Sequence, residues 1–350
     1  MSYSSTWESP SNIALVKYWG KKGVQLPANP SISFTLNEAK TRTKVSLEKK
    51  KNKDDYEISV IFEGAEAPEF EGKILQFLNR TNHLFNFAKE HKLIIETSNT
   101  FPHSSGIASS ASGMSALALC LCSIEEQIEG NKTLQFTRKA SIAARLGSGS
   151  ACRSLYGGLV SWGAHEDYQG SSDEFATQLD SGQVFKDFYD FYDVILLVDK
   201  GEKQVSSSFG HSLLDKHPFA KARFSEADKN MTLMKDALKT GNLSLFTKVV
   251  EAEALMLHAM MMTSDPYFML MLPNTLAIIQ KVWDFRKQTN LHPIITLDAG
   301  ANVHLLFPAQ ENELILDFVN NELLAHCAEK QYICSTIGNG PVQILEDEHS

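Results

Sequence analysis

Five residues near the start of the chain combine positive charge with aromatic rings: Lys17, Tyr18, Trp19, Lys21 and Lys22. They lie in the segment SNIALVKYWGKKGVQLPANPSISFTLN, residues 11–37, of a chain whose formal net charge is −9. Lysine ammonium groups bind anions, and a tyrosine hydroxyl adds a hydrogen-bond donor. The cluster is therefore either a solvated surface turn or the wall of a pocket for a negatively charged ligand.

A second candidate anion site is the segment FPHSSGIASSASGMSALAL, residues 101–119. Small residues precede an apolar stretch that predicts a helix, and a helix N-terminus offers free N–H groups and a positive dipole end to phosphate. Ser109, Ser110 and Ser112 add hydroxyls that bind phosphate or a hard cation such as Mg²⁺. The segment is neither a Walker A loop nor a dinucleotide-binding turn. Close packing by small residues is the alternative explanation.

The segment ARLGSGSACRSLYGG, residues 144–158, joins a loop rich in glycine and serine to Arg153. The planar guanidinium of arginine binds phosphate or carboxylate through two parallel hydrogen bonds. A helix–loop–helix connection with a surface arginine explains the same residues equally well.

Two shorter segments are weaker candidates on their own. In TLDAGANV, residues 296–303, Asp298 follows a predicted strand and can orient or deprotonate a hydroxyl group, although an aspartate that caps its own turn is more common. In GEKQVSSSFG, residues 201–210, three serines follow Lys203, a pattern that ordinary loops also show.

Composition narrows the class of function. The net charge of −9 argues against general binding to nucleic acid or to an anionic membrane. The N-terminal residues lack the basic and apolar regions of a signal peptide, and no apolar run is long enough to cross a bilayer. The five cysteines, an odd number without a CxxC pair, indicate reduced and buried thiols. We therefore expect a cytoplasmic protein with no nucleic-acid or membrane partner.

The elements that carry these residues are predicted from the periodicity of apolar side chains. In chain order they are strands at 11–16 and 31–36, a strand hairpin over 44–64 with its charged tip at 49–53, helices at 72–92, 108–127 and 134–146, a loop at 163–182, mainly helix from 212 to 290, and two short strands around a turn at 299–301. Mixed helices and strands with antiparallel pairing predict an α+β fold.

Taken together and in order, these segments resemble one family. The stretches NIALVKYWGKK with PANPSISFTLN, FPHSSGIASSASG, GSGSACRSLYGG, KQVSS and TLDAGAN look like those of mevalonate diphosphate decarboxylases, which belong to the GHMP kinase superfamily. The matches are collinear from residue 11 to residue 303, and KYWGK and GSGSACRS are specific to the decarboxylases. The PxxxGxxSSA pattern, residues 102–111, is shared across the superfamily.

The resemblance implies a two-domain GHMP kinase fold. Residues 1–190 would form a domain similar to domain 2 of ribosomal protein S5 that carries the ATP phosphate loop, and residues 191–350 a ferredoxin-like domain. The implied reaction converts mevalonate 5-diphosphate and ATP, with Mg²⁺, to isopentenyl diphosphate, ADP, phosphate and CO₂ in the mevalonate pathway. The resemblance also implies a homodimer, for which the methionine-rich segment 255–272 is a candidate surface.

The matching motifs imply a role for each candidate residue. Asp298 would contact the C3 hydroxyl of the substrate as base or orienting group, and Lys17 would pair with it and lower its pKa. The implied substrate-binding residues are Tyr18, Trp19, Lys21, Ser148, Ser150, Arg153 and Ser207. The implied ATP-binding residues are Ser104, Ser105, Gly106, Ala108, Ser109, Ser110 and Lys203, and Ser109 is also the candidate Mg²⁺ ligand.

Two positions depart from the family pattern. Ala301 replaces the proline of a DAGPN motif, which we expect to affect little beyond turn rigidity. Phe209-Gly210-His211 stands where Gly-Met is common, and Ser208 stands where some members carry arginine, in a segment expected near the substrate's phosphates. Three alternatives stay open: a decarboxylase of mevalonate 5-phosphate, a mevalonate 3-kinase-like enzyme, and a nucleotide-binding module without turnover. The presence of the catalytic and substrate-binding residues argues against the last.

Overall fold

The computed structural model describes residues 3–51, 55–101, 107, 109–201 and 207–345, except the side chains of residues 207 and 208. The strands are β1 (Ser4–Val16), β2 (Lys21–Lys22), β3 (Leu26–Pro27), β4 (Ser31–Lys49), β5 (Glu57–Phe62), β6 (Ala65–Glu66), β7 (His91–Asn99), β8 (Leu159–Trp162), β9 (Thr177–Gln178), β10 (Phe191–Leu196), β11 (Ile294–Thr296), β12 (Val303–Pro308), β13 (Tyr332–Thr336) and β14 (Val342–Ile344). The helices are α1 (Glu71–Arg80), α2 (Ser109–Glu129), α3 (Phe136–Gly147), α4 (Ser207–Ser212), α5 (Ala220–Thr240), α6 (Leu243–Met262), α7 (Pro273–Thr289) and α8 (Asn312–Phe318). Within the described ranges, none of these helices has the length and apolar character of a membrane span.

The first sheet is built around the long strand β4. Its order is β14-β1-β4-β7-β5-β6, and β8 pairs with the start of β4 while β9 pairs with β8. β1 runs antiparallel to β4, with Val16 opposite Ile32. One face of this sheet packs on α2, where Leu117 and Leu121 share a buried cluster with Val45.

The second sheet is a smaller antiparallel one. Its order is β11-β12-β10-β13. Successive residues of β10 point to opposite faces: Ile195 joins a cluster with Met231 of α5 and Phe246 of α6. Val194 instead joins a cluster with Ile278 of α7 and residues of α8.

Helices α5 and α6 form a layer between the two sheets. Ile13 and Phe34 of the first sheet belong to the same buried cluster as Phe191 and Leu306 of the second, and Val249 of α6 lies among them. The second half of β1 is therefore covered on both faces, which explains why its residues 13–16, IALV, are continuously apolar rather than alternating. This layer brings α6 against both β1 and β11.

Most predicted elements are present, and the α+β class is confirmed. Strand β1 is longer than the predicted 11–16, and the predicted helix 72–92 ends at Arg80, followed by a short 3-10 turn at Asn86–Lys89. The predicted loop 163–182 includes the short strand β9.

The predicted hairpin over 44–64 is wrong. β4 and β5 are not neighbours, because β7 lies between them, antiparallel to β4 and parallel to β5. A parallel pair needs a crossover connection, and α1 supplies it between β5 and β7. Alternating residues indicated that both strands exist, but they carry no information about which strand pairs with which.

The chain returns to the first sheet near its end. That sheet takes its strands from Ser4 to Gln178 and then from β14, whereas the second sheet is built from Phe191 to Thr336. β14 pairs antiparallel with β1, with Thr6 opposite Ile344. The division of the chain into 1–190 and 191–350 stays a prediction.

A close backbone contact near this return can be tested by substitution. A Cβ added at Gly157 would lie 2.5 Å from the carbonyl carbon of Asn339, a distance that backbone atoms cannot accommodate without moving. Gly157→Ala should therefore lower the free energy of unfolding by about 2 kcal/mol in a urea titration. The matched control is Gly72→Ala in α1, where nothing lies within 4 Å of the added Cβ. Equal unfolding midpoints for the two variants would show that the contact does not constrain the fold.

Candidate active site

The backbone of Lys17, the first residue after β1, is fixed by buried side chains. Its N–H donates to Glu253 Oε2 of α6 over 2.8 Å. Its carbonyl accepts from Asn29 Nδ2 at 2.9 Å and from Arg223 Nη2 of α5 at 3.1 Å. Buried backbone groups need such partners, and here the partners tie the end of β1 to the helical layer between the sheets.

The side chain of Lys17 forms an ion pair with Asp298, which lies between β11 and β12. Lys17 Nζ is 3.0 Å from Asp298 Oδ1, and the two side chains are 2% and 28% exposed. Burial lowers the pKa of Lys17, and the charge and hydrogen bond of Asp298 oppose this effect. The carboxylate of Asp298 is therefore partly exposed, and its charge is balanced by the buried ammonium group of Lys17.

Asp298 is also held from α6. His258 Nε2 donates to the carbonyl oxygen of Asp298 over 3.1 Å. Burial lowers the pKa of His258 to about 4, so the ring is neutral at pH 7, and because a carbonyl only accepts, its proton resides on Nε2. One helix thus contacts the backbone of both members of the ion pair, through Glu253 at Lys17 and through His258 at Asp298.

Glu253 is itself buried and charge-paired. Its Oε2 accepts from Arg223 Nη2 at 2.6 Å, and its Oε1 accepts from Asn230 Nδ2 at 2.7 Å. The side chains of Arg223 and Glu253 are 1% and 0% exposed. Loss of either partner would leave the other charge buried without compensation. The position of Lys17 therefore depends on an internal ion pair that does not itself line the cavity.

Arg153 is a buried cation, and Asp298 is the carboxylate whose charge acts on it. Its Nε donates to Asn12 Oδ1 at 3.2 Å and its Nη1 to Ser31 Oγ at 2.5 Å, and both acceptors are neutral. The residue is 3% exposed. Holding a guanidinium in a buried site with neutral hydrogen-bond acceptors is costly, and an anionic ligand would offset part of that cost.

Tyr18 contributes an unsatisfied donor beside this cation. Its buried hydroxyl has no hydrogen-bond partner among the described residues. Burial raises the pKa of Tyr18, which keeps the hydroxyl protonated. A Cβ at Gly149 would lie 2.7 Å from this hydroxyl oxygen, so only glycine lets the 147–153 loop approach the ring.

The same loop meets the start of α2. Ser148 Oγ lies 3.4 Å from Ser110 Oγ, within the first turn of that helix. Free N–H groups and the dipole at the N-terminus of a long helix attract anions. The two serine-containing segments predicted as separate anion sites are therefore parts of one site.

A cavity of about 1020 Å³ is lined by both members of the Lys17–Asp298 pair and by Arg153, Tyr18 and Ser148. Among the residues predicted from the sequence, those that line it are Lys17, Tyr18, Trp19, Lys21, Ser109, Ser110, Ser148, Ser150, Arg153 and Asp298. The others, namely Ser104, Ser105, Gly106, Ala108 and Lys203, lie outside the described residues, and Ser207 is described by its backbone alone, as the first residue of α4.

Among the cavity residues that the sequence did not predict are three polar residues of α1. Lys73 and Arg80 of α1 line the cavity together with Gln76, and this spacing places all three on one helix face, a signal that could have been used. Burial and the charges of Arg80 and Lys73 lower the pKa of Lys21 to about 8. This clustering of cations is a further mark of an anion site.

A second part of the cavity wall is apolar. It consists of Val60, Phe62, Phe70, Ile95 and Leu117. Together with the cationic part, it forms a pocket suited to a ligand with both a flat apolar group and phosphates.

Comparison with known proteins places this geometry in a family. Residues 9–176 match the model of the diphosphomevalonate decarboxylase-like N-terminal domain, and residues 193–347 match that of the mevalonate 5-diphosphate decarboxylase C-terminal domain. The diphosphomevalonate decarboxylase of Saccharomyces cerevisiae is 30% identical in an alignment of 352 positions, gaps included. The alignment covers 91% of this chain and 81% of that protein. The chain belongs to the diphosphomevalonate decarboxylase family.

Other members of the family are similar over nearly their full length. The diphosphomevalonate decarboxylase of Rattus norvegicus is 28% identical, with 98% of this chain and 94% of that protein covered. A structure of MDDEF in complex with MVAPP, AMPPCP and magnesium has a TM-score of 0.83 at 28% identity, covering 98% of this chain and 99% of that one. The mevalonate diphosphate decarboxylase of Staphylococcus aureus has a TM-score of 0.82 at 29% identity, covering 99% of each chain. These structures confirm the two-domain GHMP kinase fold.

The buried pair behind this decarboxylase-family site can be tested through stability. Glu253→Gln should lower the free energy of unfolding by about 3 kcal/mol, because Arg223 would remain buried without its counter-charge. Glu226→Gln is the matched control, since Glu226 of α5 forms only an exposed pair with Lys229 and should change stability by less than about 0.5 kcal/mol. Urea unfolding measures the free energy of unfolding of both variants. Equal losses of stability would contradict the prediction that the buried pair contributes more than the exposed pair.

Proposed function

We propose that the protein catalyses the ATP-dependent decarboxylation of mevalonate 5-diphosphate to isopentenyl diphosphate, ADP, phosphate and CO₂. It would act as a carbon–carbon lyase in isoprenoid synthesis. Family membership supports this activity, and so do the solved relatives with MVAPP, AMPPCP and magnesium. The observation that carries the proposal is the Lys17–Asp298 pair at 3.0 Å, which lies in one cavity with the buried guanidinium of Arg153.

Asp298 and Lys17 are the proposed catalytic residues. A tertiary alcohol is a poor leaving group, so the C3 hydroxyl is first phosphorylated by ATP. The carboxylate of Asp298 orients this hydroxyl or accepts its proton, and Lys17 balances the carboxylate charge. Departure of the phosphate with its bonding electrons then leaves a positive charge at C3, and the electrons of the breaking bond to CO₂ form the alkene.

The remaining lining residues bind the two ends of the substrate. Arg153 has the donor geometry for a carboxylate and lies near Asp298, whose charge acts on it. The hydroxyls of Tyr18, Ser148 and Ser150, with Trp19 and Lys21, form the rest of the proposed substrate site. The positive charges of Arg153 and Lys21 there favour a substrate with several negative charges.

The start of α2 is the proposed site of the ATP phosphates. Ser109 and Ser110 line the cavity there, and the apolar wall on the other side offers a surface for the adenine ring. The same proposal assigns ATP binding to five further residues, namely Ser104, Ser105, Gly106, Ala108 and Lys203.

The residues present are compatible with magnesium. No group of three or more histidine, cysteine or acidic side chains suited to a metal occurs in the described part of the chain. Magnesium commonly keeps water ligands and binds mainly through substrate phosphates, so the Ser109 hydroxyl at the start of α2 is a suitable protein ligand. When bound, the ion bridges and neutralises phosphate oxygens during phosphoryl transfer.

Location and assembly are further parts of the proposal. The five cysteines carry no disulfide in the structure, and Cys120, Cys122, Cys152 and Cys327 are buried, which supports a reducing, cytoplasmic environment. Tyr267 and Met269, 78% and 70% exposed, lie in the methionine-rich segment and support its use as a homodimer surface.

The proposed activity is tested by offering the purified protein Mg²⁺-ATP with mevalonate, its 5-phosphate or its 5-diphosphate. We expect equal amounts of ADP and CO₂ from the diphosphate and a rate at least tenfold lower from the others. ADP without CO₂ would indicate a kinase, and activity confined to the monophosphate would indicate the sister decarboxylase. No product from any of the three would contradict catalysis and favour a nucleotide-binding module.

The role of Asp298 is tested by Asp298→Asn, which keeps the size of the side chain but removes its charge and its capacity to accept a proton. We expect kcat to fall by at least about a hundredfold and the KM for substrate to change by less than about threefold. Asp317→Asn on the exposed side of α8 is the control and should leave both constants unchanged. Turnover near that of the control would exclude the assigned role.

A further inference from the structure

His211 lies in the cavity wall between two aromatic residues of the proposed substrate site. It belongs to α4 and is 6% exposed. Its ring centroid is 4.3 Å from that of Tyr18 and 4.6 Å from that of Trp19. A Cβ at the preceding Gly210 would lie 2.7 Å from the Trp19 ring, so the chain reaches this contact only with glycine there. The ring of His211 is therefore tightly placed.

The tautomer of His211 follows from its backbone contact. The N–H of Gly20 donates to His211 Nδ1 over 2.9 Å, so Nδ1 is an acceptor and the proton of the neutral ring resides on Nε2. In a doubly protonated ring, the Nδ1–H would point at the N–H of Gly20, and the two donors would repel each other. Burial, together with the charge of Lys21, lowers the pKa of His211 well below its ordinary value. The ring thus holds a fixed N–H donor at Nε2.

This donor has no hydrogen-bond partner among the described residues, although His211 lines the cavity. Nε2 is not one of the fully enclosed polar atoms that lack a partner among the described residues, so it is reachable from the cavity. The cavity already contains cations and hydroxyl donors, so a ligand is the natural source of that acceptor.

The charges around the cavity show which part of the ligand His211 faces. Lys17 interacts electrostatically with Asp298 and Arg153, which line the reacting end of the cavity with it. His211 instead has Lys21 as its charged neighbour, and Lys21 in turn has Arg80 and Lys73. The cavity therefore has a second, cationic region away from the Lys17–Asp298 pair.

We propose that His211 determines substrate specificity, with its Nε2–H donating to a phosphate oxygen of the substrate's diphosphate beside Lys21. The inference rests on the proposed function for the identity of the substrate. A neutral donor adds a directed hydrogen bond without adding another positive charge to a cluster of cations. His211 also supplies a hydrogen-bond donor in a segment where Ser208 and Phe209 supply no positive charge.

Two substitutions separate the hydrogen bond from the packing of the ring. His211→Met fills a similar volume but has no donor. His211→Gln retains an acceptor for the Gly20 N–H and a donor for the ligand. The probe is isopentenyl diphosphate, an alkyl diphosphate without a carboxylate, titrated calorimetrically into the full chain with isopentenyl monophosphate as comparison.

We expect His211→Met to weaken diphosphate binding about tenfold, as for loss of a hydrogen bond to a charged acceptor, and His211→Gln to remain within about threefold of the unchanged protein. Monophosphate binding should change less than diphosphate binding. Unweakened binding by His211→Met, equal weakening by both variants, or no diphosphate binding by the unchanged protein would overturn the proposal.

A second measurement covers the case in which a variant does not fold. In the unchanged protein labelled with ¹⁵N-histidine, the Nε2–H resonance of His211 should shift and become protected from exchange when isopentenyl diphosphate is added. An unperturbed resonance at saturating ligand would overturn the proposal. Failure of the unchanged protein to turn over mevalonate 5-diphosphate would refute the proposed function alone, because alkyl diphosphate binding still decides the role of His211.

Discussion

The arrangement of the site depends on one buried carboxylate, Glu253. It accepts the backbone N–H of Lys17 while it is paired with Arg223, whose guanidinium also donates to the Lys17 carbonyl. Helix α6 adds a second tie through His258, which donates to the backbone of Asp298. Because Lys17 and Asp298 follow strands of different sheets, neither sheet alone sets the distance between them. The helix packed between the sheets does so.

The cavity wall concentrates positive charge. Arg153 donates to neutral acceptors, and Lys21 lies close enough to Arg80 and Lys73 for their charges to lower its pKa. The chain as a whole is negative, with a net charge of −9. Contrast between an acidic exterior and a cationic cavity directs polyanionic ligands toward the cavity, and it explains why overall charge said little about the site.

The sequence predicted the site residues better than the contacts that hold them. Lys17, Arg153 and Asp298 lie in glycine- or serine-containing segments whose chemistry stands out from the surrounding pattern, and all three line one cavity. Glu253 and His258 were missed because they lie in a helix that reads as apolar core, and their partners are fixed only by tertiary packing. Similarly, alternation indicated β4 and β5, but the insertion of β7 between them depends on the crossover through α1. The local pattern of apolar residues identifies a strand or helix, but which elements it packs or pairs with is determined by the packing of the whole chain.

The pairing of β14 with β1 has a consequence for the order in which the protein assembles. β1 ends next to Lys17, and its outer edge is covered only when residues 342–344 arrive, after almost all of the intervening chain has left the ribosome. Until then β1 presents an open strand edge, the kind of surface that pairs with other chains. Contacts between such distant residues form slowly. During synthesis, the edge of β1 at Thr6–Glu8 is therefore one of the last in the first sheet to gain its neighbour, and until then it is open to pairing with other chains.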